Sequence, residues 1–225
     1  MRDLEKSLRQ GVDVLELSLN DLQIDHLLDY LTLIQKWTKV YNLTSVRAPA
    51  DMLTHHLLDS LAVIAPLRRQ FAALGSNAVQ SSPVHKLLDV GSGAGLPGVV
   101  ISICCPEVLV DCVDTVAKKV AFIRQVAATL KLSNLRGLHA RVESLTDKYP
   151  VISSRAFASL ADFTSWSSTA LAEEGVWMAM KGKVPDEEIT VLPKEVTVFQ
   201  VEQLQVPGLD AERCLLWLRR SRAVN

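Results

Sequence analysis

Cysteine is scarce in this chain: Cys104, Cys105, Cys112 and Cys214 are the full set. None falls in a C-x-x-C spacing and all lie in apolar segments, which argues for reduced core thiols and against a disulfide scaffold or a zinc site. A surplus of charge is also missing. Lys and Arg number 24 against 25 Asp and Glu, for a formal charge of −1, so no global field draws the protein to nucleic acid or a membrane surface and such contacts must rest on local patches. No apolar run approaches the ~18 residues of a membrane span, and the first residues, Met1 to Lys6, alternate charge without the ~7–15-residue apolar core of a secretion signal. A cytoplasmic protein without membrane contact is expected. The Gly-Lys-Ser/Thr of a P-loop is absent too. What is abundant is apolar residue, 48% of 225 positions, enough to fill the core of one main domain with a small additional element.

The early part of the chain reads as helical. Ser18-Leu19-Asn20-Asp21 resembles a capping box, and Leu27, Leu28, Leu31, Ile34, Trp37 and Tyr41 follow at three- and four-residue steps. Pro49 stands where a second helix can begin, and Met52, Leu53, Leu57, Leu61 and Ile64 keep the helical period until Pro66. Residues 70–85, with Gly75, Ser76, Asn77, Ser81, Ser82 and Pro83, mark a linker between this helical element (1–69) and the domain over 86–225. From there strands near 86–90, 108–113, 135–139, 151–153 and 175–181 alternate with helices over 97–105, 115–130 and 160–172. Two closing strand-like runs follow, at 195–204 and 213–219. Repeated β-then-α units predict an α/β fold, a mostly parallel seven-stranded sheet wrapped by helices, and the two closing strands predict an antiparallel edge.

The most informative segment is Asp89-Val90-Gly91-Ser92-Gly93-Ala94-Gly95-Leu96-Pro97-Gly98, at the end of the first predicted strand. Glycines there let the chain turn sharply and let a ligand lie against peptide N–H groups at a helix start. A literal G-x-G-x-x-G is embedded at 93–98, which alone suggests a dinucleotide. The register opposes that reading: counted from the strand end at Gly91, the third glycine position holds Leu96. What starts at the strand end is Asp89-x-Gly91-x-Gly93-x-Gly95, the acidic-plus-three-glycine pattern of S-adenosylmethionine-dependent methyltransferases. A carboxylate suits that cofactor, which carries an ammonium and a sulfonium where a dinucleotide carries a pyrophosphate. Asp114 ends the second strand about 20 positions after the loop, where an acid accepts hydrogen bonds from ribose hydroxyls.

The segment after the fourth strand bears on the methyl acceptor. Amino-methylating enzymes for adenine or cytosine carry an Asp/Asn-Pro-Pro-aromatic motif there and cytosine C5 enzymes need a nucleophilic Cys, whereas this chain has Ser153-Ser154-Arg155-Ala156-Phe157. Guanine N7 has an exposed lone pair and requires no deprotonation, so orientation and charge arrangement suffice without a general base. Arg141, Arg155 and Lys181 fall at the ends of the third, fourth and fifth strands, the edge where ligands bind in open α/β sheets. His55 and His56 are adjacent on a helix and no Cys/Asp/Glu cluster completes a site, so no metal is expected. His56 and Asp59, at i and i+3, can share a face, and a local hydrogen bond that holds the helical element against the sheet is expected there; Trp37 and Tyr41 are expected to pack in the core rather than to stack on bases.

With these segments assembled, the chain resembles the ribosomal-RNA small-subunit methyltransferase G family, also called glucose-inhibited division protein B. The resemblance rests on Lys36-Trp37-Thr38-Lys39-Val40-Tyr41-Asn42-Leu43-Thr44-Ser45-Val46-Arg47, on His56-Leu57-Leu58-Asp59-Ser60, on the glycine loop, and on Ser154-Arg155-Ala156-Phe157-Ala158-Ser159-Leu160. It implies a Rossmann-like class I S-adenosylmethionine-dependent methyltransferase fold behind a helical element. It also implies transfer of a methyl group to N7 of one guanine in small-subunit (16S) ribosomal RNA, within the ribosomal particle. Carried over by position, cofactor contacts fall at Gly91, Leu96, Val142, Glu143 and Arg155, beside the Asp89, Gly93, Gly95 and Asp114 read above. Arg141, Lys181, Lys36, Lys39 and Arg47 are the candidate RNA-facing cations. The chain departs from the family pattern in its long segment at 70–85 and in Asp114-Thr115-Val116-Ala117-Lys118-Lys119, where a Ser-x-x-Lys-Arg type of segment is more usual. A small-molecule methyltransferase on the same fold, and a non-catalytic cofactor-sensing protein, remain open alternatives.

Overall fold

The computed structural model describes residues 2–76 and 85–221. Helix α1 (Arg2–Val14) precedes the long α2 (Asp21–Tyr41). The capping box of α2 lies two residues later than the Ser18–Asp21 pattern suggests. Asn20 is the cap residue and Gln23 its reciprocal partner: the Gln23 N–H donates to Asn20 Oδ1 (2.9 Å) and the Asn20 N–H to Gln23 Oε1 (3.0 Å). At the other end Asn42 takes φ 55° and its N–H donates back to Thr38 O, a left-handed cap that stops the helix. Short α3 (Pro49–Met52) runs into a π-helical turn (Leu53–Leu58) and then α4 (Asp59–Leu61).

Pro66 does not end the helical element. It lies in the first turn of α5 (Ile64–Ser76), where a missing N–H has no intrahelical partner to lose. The expected linker at 70–85 is therefore corrected: residues 70–76 are helix, Phe71 is buried, and His85 already opens the sheet. The rest of that segment, 77–84, lies outside the described residues.

Seven strands form one sheet: β1 (His85–Val90), β2 (Val108–Asp114), β3 (Leu135–His139), β4 (Tyr149–Arg155), β5 (Leu171–Lys181), β6 (Val196–Gln203) and β7 (Cys214–Arg220). Their order is β3-β2-β1-β4-β5-β7-β6. The pairs β1–β2, β2–β3, β1–β4 and β4–β5 are parallel. β7 inserts antiparallel between β5 and β6 and makes the antiparallel end of the sheet. Chain order reverses between β1 and β4, so the crevice outside their carboxyl ends is the topological switch point where ligands bind in such sheets.

Helices α6 (Gly98–Cys104) and α7 (Ala117–Thr129) share one face of the sheet with the N-terminal helices, over Leu87, Val110, Val151 and Met178. Helix α8 (Leu160–Ser167) covers the other, over Leu88, Val113, Ile152 and Trp177. Neighbouring residues of each strand thus serve opposite cores, as the two-residue period of a strand requires. α8 ends sooner than the sequence pattern suggests. The helix expected to reach Ala172 stops before Leu171, which pairs with Tyr149 and opens β5, an instance of strand pairing overriding local propensity. A short α9 (Asp186–Thr190), missing from the sequence reading, follows β5.

The helical element is stitched to the sheet domain by α2. Tyr30, fully buried, donates its hydroxyl to Ala94 O at 2.7 Å. Gln23 Nε2 donates to Ile103 O at 3.0 Å, and Trp37 meets Phe122 edge-on at 5.3 Å. Trp37 thus packs against the core as expected, but the expected burial of Tyr41 is corrected: as the last residue of α2 it lies beyond the covered face, exposed, with its ring against Trp37 at 4.9 Å.

Candidate functional site

The crevice is built from the end of β1 outward. Gly91, Gly93 and Gly95 all take positive φ (64°, 58° and 88°), a region open to glycine at no steric cost. A Cβ on Gly91 would come within 2.0 Å of the Phe157 ring, while a Cβ on Gly93 would meet nothing nearer than Gly91 O at 3.9 Å. Gly93 therefore presents bare backbone to open space, the cradle that a nucleoside-type cofactor needs. Gly95 instead turns inward, where a Cβ would strike Val99 at 2.4 Å and lie 3.5 Å from the Tyr30 hydroxyl.

Asp89 does not face the crevice, contrary to its expected role as a cofactor contact. It is fully buried under the loop, where Oδ2 accepts the Gly98 N–H (3.0 Å) and Oδ1 the Ser153 hydroxyl (2.8 Å). Burial pushes its carboxyl up to about 7, against the opposing pull of those two hydrogen bonds. Asp114, at the end of β2, does reach the crevice. Its oxygens accept the Gly93 N–H (3.1 Å) and the Val116 N–H (2.9 Å), and Lys119 pairs with it at 3.5 Å. An ionised carboxylate has about four acceptor sites, which leaves Asp114 capacity for hydroxyl donors.

Two cavities meet here. The first, about 390 Å³, is lined by Gly91, Asp114, Arg141, Val142, Glu143 and Phe157, with Trp166 edge-on to Phe157 at 5.8 Å. The second, about 610 Å³, is lined by Gly93, Leu96, Arg155 and Lys181 of the sheet domain and by Thr44, His56 and Asp59 of the helical element. Gly91, Lys119 and Ala156 line both, so the cavities form one trench. Ala156 holds φ 51° at the end of β4, an uncommon conformation for a residue with a Cβ. The kink sends Arg155 to one cavity and Phe157 to the other.

The structure thus brings Gly91, Gly93, Leu96, Asp114, Arg141, Val142, Glu143, Arg155 and Lys181 to the trench and leaves Asp89 and Gly95 beneath it. Lys36, Lys39 and Arg47 line neither cavity. All three are exposed, and Arg47 is tied to the end of α2 through Thr38 O (3.2 Å) and the Asn42 side chain. The expected His56–Asp59 hydrogen bond is replaced by three others. His56 Nε2 pairs with Thr44 Oγ1 (2.9 Å), while Asp59 Oδ2 accepts from Arg155 (2.8 Å) and Oδ1 from Arg213 (2.7 Å). Burial, and then the charge of Arg155, hold the His56 imidazole below its ordinary pKa, so it is neutral near pH 7.

Arg213 was missed by sequence reasoning, though a signal was there. A strand that runs antiparallel starts where its parallel neighbours end, so the residue before β7 reaches the same edge as Lys181, whose register partner is Cys214. The cysteines stay out of the trench. All four are buried, and burial raises the thiol pKa of each, to about 11 for Cys105. Among the described residues no group of three or more His, Cys, Asp or Glu is placed to hold a metal ion, and no helix is long and apolar enough to cross a membrane.

Known proteins bear on the fold and the family. Solved structures with the same fold include a magnesium protoporphyrin IX methyltransferase from Synechocystis with bound S-adenosylmethionine, at TM-score 0.58 and 12% identity over 85% of this chain and 97% of that one. Another is TrmN from Thermus thermophilus, at TM-score 0.55 and 18% identity over 75% of this chain and 53% of that one. Curated relatives named ribosomal RNA small subunit methyltransferase G are 69% identical in Albidiferax ferrireducens, over 98% of this chain and 99% of the relative, and 65% identical in Polaromonas, over 97% and 95%. The family model for rRNA small subunit methyltransferase G matches residues 23–216. With its glycine cradle, strand-end acid and cationic second cavity in one trench, the chain belongs to the rRNA small subunit methyltransferase G family.

Proposed function

We propose that the protein transfers a methyl group from S-adenosylmethionine to N7 of a guanine in small-subunit (16S) ribosomal RNA, and that it acts on the RNA within the ribosomal particle. The observation that carries the reading is the trench itself: a cavity ending in an acid is continuous with one rich in cations, and Gly91 and Ala156 stand at the junction. Residues of the first cavity fit a nucleoside. Asp114 accepts ribose hydroxyls and Val142 and Phe157 offer apolar surface to a base, while in the adjoining second cavity the backbone at Gly93 admits a ligand without a clash. Bound there, the cofactor supplies a methyl group activated by its sulfonium.

The second cavity supports an RNA acceptor. Lys119, Arg155, Lys181 and Arg213 line it beside one carboxylate, Asp59, and such cations suit phosphate and base edges. N7 chemistry asks for alignment and not for proton removal. The cationic side chains and the neutral His56 of this cavity meet that demand, and the buried, high-pKa thiols do not favour a cysteine-nucleophile route. Near-neutral overall charge supports a preassembled particle over naked RNA, because electrostatic affinity for bare RNA scales with the cations brought to it. The test is incubation with labelled cofactor and undermethylated small subunits, followed by mapping of aniline-labile N7-methylguanine. Label at one guanine of the particle is expected. Label on a small metabolite instead would sink the reading.

A further inference from the structure

One side chain of the second cavity bridges the helical element and the sheet: Asp59. It is 4% exposed, comes from the helical element, and spends both oxygens on arginines from the two strands that flank β5: Arg155 at the end of β4 and Arg213 just before β7. Those guanidiniums are 21% and 24% exposed, half-sunk in the wall of the second cavity. The Arg155 Nη1 that reaches Asp59 also donates to His55 O at 3.0 Å. The π-helical turn at Leu53–Leu58 immediately precedes Asp59. Turns of this kind are rare and concentrate at functional sites, and this one accompanies His55, His56 and Asp59 all lining the same cavity.

We propose that Asp59 is a positioning residue that locks Arg155 and Arg213 side by side, so that the acceptor and the cofactor meet two guanidiniums of set orientation. The physical reason is twofold. An arginine side chain free to rotate loses entropy on gripping a ligand, and a charge-assisted hydrogen bond from one guanidinium nitrogen to its own Asp59 oxygen removes part of that loss beforehand. The carboxylate also tempers the field. Lys119 is paired with Asp114 and Lys181 with Glu188, so with Asp59 present the four cations face three carboxylates. That residual charge attracts RNA without strongly opposing the positive charge that moves from sulfonium to purine in the transfer. The acceptor half of this role rests on the function proposed above; the Arg155 half does not.

The full-length protein is tested as Asp59→Asn, Asp59→Glu, Arg213→Gln and the double variant Asp59→Asn/Arg213→Gln. Each is read for unfolding midpoint, for Kd of S-adenosylhomocysteine by calorimetry, and for kcat and KM on undermethylated small subunits. Asp59→Asn keeps the shape and removes the charge. It should leave the midpoint within a few degrees, weaken Kd about tenfold through Arg155, and lower kcat on the order of 10²-fold, the scale of a small misplacement in an aligned site. Asp59→Glu should fall between wild type and the Asn variant. The double variant should lose no more kcat than the worse single variant, because both act through one bridge. Wild-type Kd and kcat in Asp59→Asn, or losses that multiply in the double variant, would overturn the proposal. Should the Asn variant fail to fold, wild-type values in Asp59→Glu overturn it instead. Wild-type protein that binds S-adenosylhomocysteine yet methylates no particle would refute the acceptor reading and leave the Kd comparison in force.

Discussion

The glycine loop permits a paired experiment, because two of its glycines share a backbone conformation and differ in what a methyl group would meet. Gly91 and Gly93 sit at φ 64° and 58°, so alanine at either site carries the left-handed cost of about 1–2 kcal/mol. For a chain of this size each kcal/mol moves the melting midpoint by roughly 2–4 °C. At Gly93 nothing is added to that, since the Cβ enters open space. At Gly91 the Cβ would lie 2.0 Å from Phe157 Cδ2, so the ring must leave its edge-on contact with Trp166. Such contacts are worth about 0.5–1.5 kcal/mol, and Gly91→Ala should melt a further few degrees below Gly93→Ala.

Ligand binding should reverse the emphasis. The open space before Gly93 is the cradle, and alanine there should weaken S-adenosylhomocysteine at least tenfold, about 1.4 kcal/mol, despite the milder stability loss. Differential scanning fluorimetry without ligand and titration calorimetry with it separate the two effects. If Gly93→Ala bound the ligand as wild type does, the assignment of the cradle would be wrong. Equal melting of the two variants would refute the Phe157 argument.

Three further outcomes are expected. Asp89 has a carboxyl pKa of about 7 when folded against an ordinary 3.8. The folded state therefore holds this proton more tightly than the unfolded chain, and the group's contribution to stability is lost as pH rises from about 4 to about 7, by on the order of 4 kcal/mol. Asp89→Asn should flatten the difference in urea midpoint between pH 5 and pH 8, and an unchanged difference counts against a proton held there. Arg155→Ala should abolish methylation of small subunits while circular dichroism reports an intact fold; more than a tenth of wild-type turnover would show that Arg155 is dispensable. Tyr30→Phe deletes the hydroxyl that holds Ala94 O and should cost about 1 kcal/mol in denaturant unfolding, with weaker S-adenosylhomocysteine binding as the sign that α2 steadies the loop. Unaltered affinity would make Tyr30 a packing residue only.

Most of the sheet domain was legible in the sequence, because its signals are local. Alternating strand and helix periods marked the parallel units, and the glycines betrayed the loop because only they adopt positive φ without a steric cost. The strand-end position of Asp114 follows from the same register. Local signals also misled. The Ser- and Ala-rich stretch after Gln70 reads as a linker, yet its first part finishes α5, since Ala72, Ala73 and Leu74 are strong helix formers and Leu67 and Phe71 are buried. Pro66 reads as a stop and is a start.

What the sequence by itself determined is the donor half of the protein: a cofactor loop whose backbone demands are written in residue type. What only the tertiary structure decided is who faces whom. Asp89 is acidic and adjacent to the loop, but strand alternation and the covering α6 turn it inward to hold Gly98 and Ser153. Arg213 is remote from Arg155 in the chain, and the antiparallel insertion of β7 brings both onto Asp59. The physical reason is range. Conformational preference is settled within a few residues of chain, whereas the meeting of a carboxylate and two guanidiniums from three separate elements depends on packing that no short segment encodes.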